Sequence, residues 1–131
     1  MKFIIKTMDS LFINPTADTP KVAFESSGEL LMEGRSLPEN PNIFFDPLLK
    51  WAEEFTNIKI LFNLRLEYFN TASSKLIFIL LKKFIDNSSV KEILVKWHYE
   101  IGDIDSLDMG QQYQSILKIP FEYIEVAESE F

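Results

Sequence analysis

Two hydrophobic periods meet in the middle of this 131-residue chain, and their junction constrains the fold more than any other feature. From Ile58 to Tyr68 apolar residues alternate with polar ones, with one exception, which is typical of a half-buried β-strand. From Leu76 to Phe84 apolar residues recur at helical spacing, with lysines on the other side. The sequence therefore predicts a strand, a polar turn at residues 69–75 and a helix that starts near Leu76.

The polar turn is crowded with hydrogen-bonding side chains. Four of them fall within five residues and are followed by a lysine: Asn70, Thr71, Ser73, Ser74 and Lys75. The first N–H groups of a helix lack intrahelical partners, and one Ser, Thr or Asn side chain suffices as a cap. A helix N-terminus also stabilises an attached phosphate through those N–H groups and its positive dipole end. The turn is therefore either an ordinary cap or a phosphate-bearing site.

Four motifs in order point to one family. They are Gly-Arg-Ser-Leu-Pro-Glu-Asn at 34–40, Phe-Phe-Asp-Pro-Leu-Leu-Lys-Trp at 44–51, Asn-Thr-x-Ser-x-Lys at 70–75 and Trp-His-Tyr-Glu at 97–100. The segment from Leu66 to Lys75 resembles the phosphorylation segment of the SiaC-type regulatory phosphoproteins. The fold of that family is similar to the STAS domain of anti-sigma-factor antagonists. The resemblance covers most of the chain.

The resemblance implies a non-catalytic switch that works by partner exchange. Family members are phosphorylated by a cognate Ser/Thr kinase on the threonine that matches Thr71, and a PP2C-type phosphatase restores them. The unphosphorylated form binds and activates a diguanylate cyclase, the enzyme of cyclic di-GMP signalling. Asn70 and Ser73 match the same motif and frame the acceptor, with Ser74 and Lys75 completing its surroundings.

An anti-sigma-factor-antagonist-like switch is the second choice within this class. Those proteins commonly show Asp-Ser followed by a small residue and glycine, where this chain has Asn-Thr-Ala.

The predicted helix after the turn has extra apolar residues at the edge of its core stripe. Phe78 and Ile85 lie together there at 100° per residue, on the side that carries Lys75 and Lys82. They are either additional core contacts, since a helix on a sheet buries a wide face, or a surface that contacts a partner.

The remaining patterns predict an α/β domain. Glycine in Ser-Ser-Gly-Glu at 26–29 indicates a β-hairpin near the N-terminus. Asn40-Pro41 suits the start of an amphipathic helix, with Asn42 as an alternative cap, and Pro47 is tolerated only if that helix begins near Phe44.

Strands and helices then alternate to the end of the chain. A strand reaches Glu100, and a helix capped by Asp103 continues to about Ser115. A last strand spans residues 121–126. The alternation predicts a STAS-like single domain over residues 1–131, with a mixed, partly parallel sheet and helices after the later strands.

Composition excludes several function classes. The net charge of −7 has the wrong sign for nucleic acid or an anionic membrane. The absence of cysteine excludes disulfides and thiolate chemistry and fits a cytoplasmic protein. Residues 1–5 are too few for a signal-peptide core, and no apolar run is long enough to span a membrane. No glycine-rich phosphate loop is present, so we expect no nucleotide cofactor.

A different class, a small hydrolase or metal-assisted enzyme, would have to use the single histidine. His98 is followed by Glu100, Asp103 and Asp105, but no Gly-x-Ser-x-Gly nucleophile motif accompanies it. Asp108 extends this acidic group, yet its spacing departs from an EF-hand. We therefore expect no catalytic residue and no metal site.

Overall fold

Six strands form one mixed sheet, in chain order, in the computed structural model, which describes residues 8–131. The strands are β1 (Leu11–Ile13), β2 (Lys21–Phe24), β3 (Glu29–Ser36), β4 (Lys59–Phe69), β5 (Glu92–Glu100) and β6 (Phe121–Val126). The helices are α1 (Pro41–Glu54), α2 (Thr71–Asp86) and α3 (Ile104–Leu117), and a 3₁₀ turn spans Glu128–Glu130. Residues 1–7, which include the apolar residues 1–5, lie outside the described residues.

The direction of the strands divides the sheet into two parts. β1, β2 and β3 pair antiparallel, whereas β3, β4, β5 and β6 are parallel and are joined through one helix each. Each parallel connection advances by one strand in the same direction, so right-handed crossovers place all three helices on one face. The prediction of a single α/β domain with a mixed sheet is confirmed.

Aromatic side chains fill the core between the sheet and the first two helices. The ring centroids of Phe24 and Phe62 lie 5.4 Å apart, edge to face. The ring centroid of Phe84 in α2 lies 6.1 Å from that of Phe62. Trp51 and Phe55 at the end of α1 join the same cluster. Burying each large apolar side chain stabilises the fold by about 1.5–3 kcal/mol, so this cluster anchors both helices to the sheet.

The predicted hairpin is present as β2 and β3, and its turn depends on glycine. Gly28 has φ +101°, a left-handed conformation that L side chains rarely adopt. A Cβ at this position would also collide with the backbone carbonyl of Lys59. Both conditions exclude any other residue without a local rearrangement.

The first helix starts where Asn40-Pro41 predicted, and the later start near Phe44 that Pro47 favoured was wrong. α1 begins at Pro41, with Asn40 as an N-cap that makes no side-chain hydrogen bond. Pro47 therefore lies in the second turn, where it removes the backbone hydrogen bond to Ile43. The helix continues because its buried face compensates for this loss. That face comprises Phe45, Leu48, Trp51 and Ala52.

The predicted alternation of apolar and polar residues holds within β4 but not at either end. Ile58 precedes the strand and is exposed. Near the other end, Gly34 of β3 pairs with Leu66 but the next residue pairs with Tyr68, so β4 bulges by one residue. Beyond a bulge, each residue of the strand points to the face opposite to the one that simple alternation predicts. Tyr68 is consequently exposed, and Phe69 packs edge to face on Trp97, with ring centroids 5.9 Å apart.

The last two elements were predicted well. Asp103 caps α3, its carboxylate accepting the N–H of Ser106 at 3.0 Å, and β6 spans the expected residues. α3 ends two residues later than expected, at Leu117, where Lys118 takes a left-handed conformation.

Candidate functional site

The predicted polar turn is the first turn of a helix. β4 ends at Phe69, Asn70 is the N-cap, and Thr71 is the first residue of α2, so the expected start near Leu76 was five residues late. The error arose because the apolar stripe begins only where the helix contacts the core. We call residues 69–75 the Thr71 corner. It lies at the carboxyl edge of the parallel strands, where ligand sites of α/β sheets usually form.

Two of the polar side chains in the corner hold the backbone. The Asn70 side-chain oxygen accepts the N–H of Ser73 at 2.9 Å, which is the helix cap. The Ser73 hydroxyl lies 2.8 Å from the Ser36 hydroxyl and donates to the Ser36 carbonyl at 3.0 Å. Both serines are completely buried. The Asn70 N–H donates to that same carbonyl, so the corner is bonded to the end of β3.

The hydroxyl groups of Ser74 and Thr71 differ in their hydrogen bonding. Ser74 donates its hydroxyl back to the carbonyl of Thr71 at 2.8 Å, within the helix. Thr71 is exposed, and its hydroxyl forms no hydrogen bond with any residue in the range 8–131. Lys75, one turn further along, is also exposed and forms no ion pair within that range. Among the four side chains, Thr71 alone is both accessible and uncommitted.

Helix α3 packs against the Thr71 corner and bonds to it through Tyr113. Tyr113 is buried and donates its phenol to the Ser74 carbonyl. Burial raises the pKa of Tyr113 well above its usual range, and the opposing effect of the Ser74 side chain is smaller, so the phenol keeps its proton. Gly110 allows this close approach, because a Cβ there would lie 2.9 Å from the Trp97 ring.

The sequence reasoning had not identified Ser36 or Tyr113 as part of this site. Ser36 lies within the motif at 34–40, which was a usable signal. Tyr113 lies 39 residues from its partner Ser74, and no local pattern identifies it.

The residues predicted as a partner surface lie along one side of α2 but have different surroundings. The Phe78 ring lies 5.6 Å from that of Tyr113, between α2 and α3. Lys82 pairs with Asp86 at 3.3 Å. Ile85 is half-buried beside a cavity of about 310 Å³ that Val90 and Pro120 also line. Phe78 thus makes core contacts, and a role of these residues in partner binding stays a prediction.

His98 lies in an enclosed environment. It is 8% exposed, and its Nε2 lies 3.2 Å from the side-chain oxygen of Asn63. Burial lowers the pKa of His98 to about 4, and the positive charges of Arg65 and Lys96 contribute. Arg65 also donates to the carbonyl of Glu130 at 2.6 Å, so the C-terminal turn is bonded to this region.

No catalytic or metal-binding arrangement forms around His98. Within residues 8–131 neither a hydrogen bond nor an ion pair joins it to Glu100, Asp103 or Asp105. The cavity that His98 lines has no room for a water molecule. Across the same residues, no group of three or more His, Cys, Asp or Glu side chains is arranged to hold a metal ion.

The fold and this corner define a class of small α/β domains that display one free hydroxyl at a helix start. Within residues 8–131, none of the helices has the length and apolar character needed to cross a bilayer. The chain belongs to the SiaC family of regulatory phosphoproteins, whose family model matches residues 13–126.

Several relatives support this assignment. An uncharacterised protein of Pseudomonas aeruginosa strain UCBPP-PA14 is 27% identical over 119 residues, which is 87% of this chain and 94% of that protein. The crystal structure of apo-SiaC from Pseudomonas aeruginosa superposes with a TM-score of 0.77 at 27% identity, over 89% of this chain and 99% of that one.

A third structure contains a partner. It is the diguanylate cyclase SiaD of Pseudomonas aeruginosa in complex with its activator SiaC. The match has a TM-score of 0.77 and 25% identity, and it covers 88% of this chain and 99% of the matched chain.

Proposed function

We propose that this protein is a non-catalytic signalling switch whose state is set by reversible phosphorylation of Thr71. A Ser/Thr kinase adds the phosphate and a PP2C-type phosphatase removes it. The observation that carries this proposal is the division of roles in the corner. Asn70, Ser73 and Ser74 are engaged in hydrogen bonds, whereas the Thr71 hydroxyl is exposed and has no partner in the described part of the chain.

The helix start favours a phosphate at this position. Phosphorylation adds a charge of about −1.5 to −2 and three strong acceptor oxygens. The first N–H groups of α2 and its positive dipole end stabilise that charge, typically by about 0.3–1 kcal/mol at an exposed site. Lys75 lies four residues after Thr71 on the same helix face and supplies a further positive charge. The modification therefore changes the surface and leaves the fold intact.

The unphosphorylated form is proposed to bind and activate a diguanylate cyclase. The support is the complex of SiaD with its activator SiaC, whose fold this chain shares over 88% of its length. In this proposal the phosphate changes the charge and shape of the carboxyl edge and so releases the cyclase. Since the kinase requires ATP, we place the switch in the cytoplasm.

Incubation with the cognate kinase and ATP tests the central step. We expect the intact mass to rise by one phosphate, and fragmentation to place it on Thr71. Thr71→Ala should accept none, whereas the matched control Ser74→Ala should still be phosphorylated. A phosphate on Ser73 or Ser74 would contradict the proposal.

The same variants test the consequence for the partner. Thr71→Ala should bind the cyclase whether or not the kinase is present. Thr71→Asp should bind more weakly, although one carboxylate mimics a phosphate only in part. A Thr71→Ala protein that the kinase and ATP still release from the cyclase would show that the switch lies elsewhere.

A further inference from the structure

Residues 127–131 turn back across the face of the sheet that carries none of the helices α1–α3. They follow β6, and Arg65 of β4 donates to the carbonyl of Glu130 within them at 2.6 Å. Arg65 lies on the helix-free face, because Leu64 and Leu66 on either side of it are buried towards the helices. β5 lies between β4 and β6, so the bond spans β5. We call residues 127–131 the β6 clip.

His98 of β5 lies on the same face. The preceding residue, Trp97, donates its indole N–H to α3, so His98 faces away from that helix. Its partner in register on β6 is Ile124, and its Nε2 lies 3.2 Å from the side-chain oxygen of Asn63 on β4. His98 is 8% exposed although it stands on a face without helices. Such burial requires a cover from another part of the chain.

The β6 clip is attached weakly. Within residues 8–131, the Arg65 bond is the one hydrogen bond or ion pair that joins the clip to another element. The clip's other hydrogen bonds are internal, from the Glu130 N–H to the Ala127 carbonyl and from the Phe131 N–H to the Glu128 carbonyl. Segments held by few contacts open at a lower free energy than the whole domain. The clip can therefore detach while the sheet stays folded.

The hydrogen bonds around His98 fit only the neutral imidazole. The oxygen of Asn63 accepts, so Nε2 carries the proton of the neutral ring. Nδ1 is buried and has no hydrogen-bond partner in the described chain. Protonation would place a second N–H donor on Nδ1, and that donor would be buried without an acceptor, which costs free energy.

The charges on this face also oppose protonation. Burial, and then the positive charges of Arg65 and Lys96, lower the pKa of His98 to about 4. Glu33 lies 3.7 Å from Arg65 and is half-buried beside it. Strand alternation places five charged side chains on the face of His98, and the clip adds two exposed ones: Glu33, Arg65, Lys96, Glu100 and Glu122, with Glu128 and Glu130.

We propose that the β6 clip encloses His98 and is a pH-sensitive cover, closed over the neutral imidazole and opened by its protonation. A solvated imidazole has the ordinary pKa of 6.5, so the open form binds a proton more readily than the closed form. Opening is therefore favoured as the pH falls below 6.5, and the effect is complete below about 4. It uncovers the sheet around His98 and Ile124, on the side opposite to α2. This inference goes beyond the proposed function and does not depend on Thr71.

Amide exchange of the wild-type protein at pH 7.5 and 5 tests the clip. Protection of the Glu130 and Phe131 amides is taken relative to the intrinsic exchange rate at each pH. With a pKa of 6.5 when open and about 4 when closed, protection should fall by up to about thirtyfold at the lower pH. His98→Gln still offers Asn63 a donor but takes up no proton, so this fall should disappear. Equal wild-type protection at the two pH values, or the same fall in His98→Gln, would overturn the proposal.

Two matched variants separate the charge from the bond. Arg65→Gln and Lys96→Gln each remove one positive charge that acts on His98, but of the two only Arg65 is bonded to the clip in the described chain. Both should raise the pKa of His98 in an NMR titration of the imidazole. Only Arg65→Gln should lower the protection of Glu130 at pH 7.5, by about tenfold, because it loses a hydrogen bond from a charged donor.

Equal protection of Glu130 in these two variants would show that Arg65 does not hold the clip, and the proposal would fall. Both variants should be phosphorylated on Thr71 like the wild-type protein. A failure of the clip would thus leave the proposed switch intact, and a failure of phosphorylation would leave the exchange results intact.

Discussion

Thr71 and His98 belong to neighbouring β–α units, and the fold places them in opposite environments. Thr71 stands at the start of α2, exposed, with a hydroxyl that no described residue binds. His98 stands inside β5, 8% exposed, bonded to Asn63 and with a pKa lowered to about 4. Taken by residue type alone, the imidazole of a histidine is the better candidate for catalysis, because it exchanges protons near neutral pH. Here it is held neutral and enclosed, so accessibility and free hydrogen-bonding capacity are better guides to the site than residue type.

The largest expected effect is acid sensitivity from His98. Its folded pKa, about 4, lies below the ordinary value of 6.5, so the unfolded chain binds more protons between these values. The corresponding stability is fully present above pH 6.5 and is lost as the pH falls towards 4. At about 1.4 kcal/mol per pKa unit, the loss near pH 4.5 is about 2–3 kcal/mol.

Urea unfolding at pH 7.5 and 4.5 measures this effect, with His98→Gln as the comparison. Carboxylates titrate equally in both proteins, so the difference between the two pH-dependent losses isolates the histidine. If both proteins lost the same free energy of unfolding, His98 would not be the enclosed, neutral group described above.

The buried serine pair should show the next largest effect. Ser73→Ala leaves the Ser36 hydroxyl buried without its partner at 2.8 Å, which costs about 1–3 kcal/mol. Removing both hydroxyls as Ser36→Ala/Ser73→Ala should be no worse than Ser73→Ala alone, because the Ser36 hydroxyl is then no longer left unsatisfied. Denaturant unfolding of the four proteins completes the double-mutant cycle. Strictly additive losses would indicate that the two hydroxyls do not interact.

A smaller loss of free energy of unfolding is expected for Tyr113, which bonds α3 to the Thr71 corner. Tyr113→Phe removes the hydrogen bond to the Ser74 carbonyl and should cost about 0.5–1.5 kcal/mol. It should also speed amide exchange in the first turn of α2. Tyr123→Phe, which removes a bond of 2.7 Å to Gln114, is the control that should leave that turn unchanged. Equal exchange in both variants would mean that Tyr113 does not hold the corner.

The smallest effect on stability is expected at Thr71 itself. Thr71→Val keeps the side-chain shape and removes an exposed hydroxyl without a described partner, so the free energy of unfolding should change by no more than about 0.5 kcal/mol. Thermal and urea unfolding of this variant beside Ser73→Ala compare two hydroxyls two residues apart. A loss as large as that of Ser73→Ala would show that Thr71 is a structural cap and would weaken the switch proposal.

Local patterns were sufficient for the elements whose signals lie within a few residues. The alternation of β4, the glycine turn of the hairpin, the Asp103 cap of α3 and the span of β6 were predicted correctly in their essentials. The expected start of α2 near Leu76 was late because hydrophobic spacing reports where a helix contacts the core, whereas α2 begins several residues before that contact. The alternative start of α1 near Phe44 was wrong for another reason, since it required Pro47 to lie in the first turn.

The sequence by itself determined the order of strands and helices and the presence of a hydroxyl-rich helix start, because caps, turns and hydrophobic periods act over short distances. Only the tertiary structure decided which hydroxyl is free. The Ser73 hydroxyl is engaged because Ser36 lies beside it at the end of β3, 37 residues earlier in the chain. The Ser74 hydroxyl bonds locally to the Thr71 carbonyl, and Tyr113 of α3 bonds the Ser74 carbonyl. The β4 bulge, which turns Tyr68 outward, likewise depends on pairing with β3. Contacts between residues so far apart in the chain form only when the sheet and helices pack, so no local pattern encodes them.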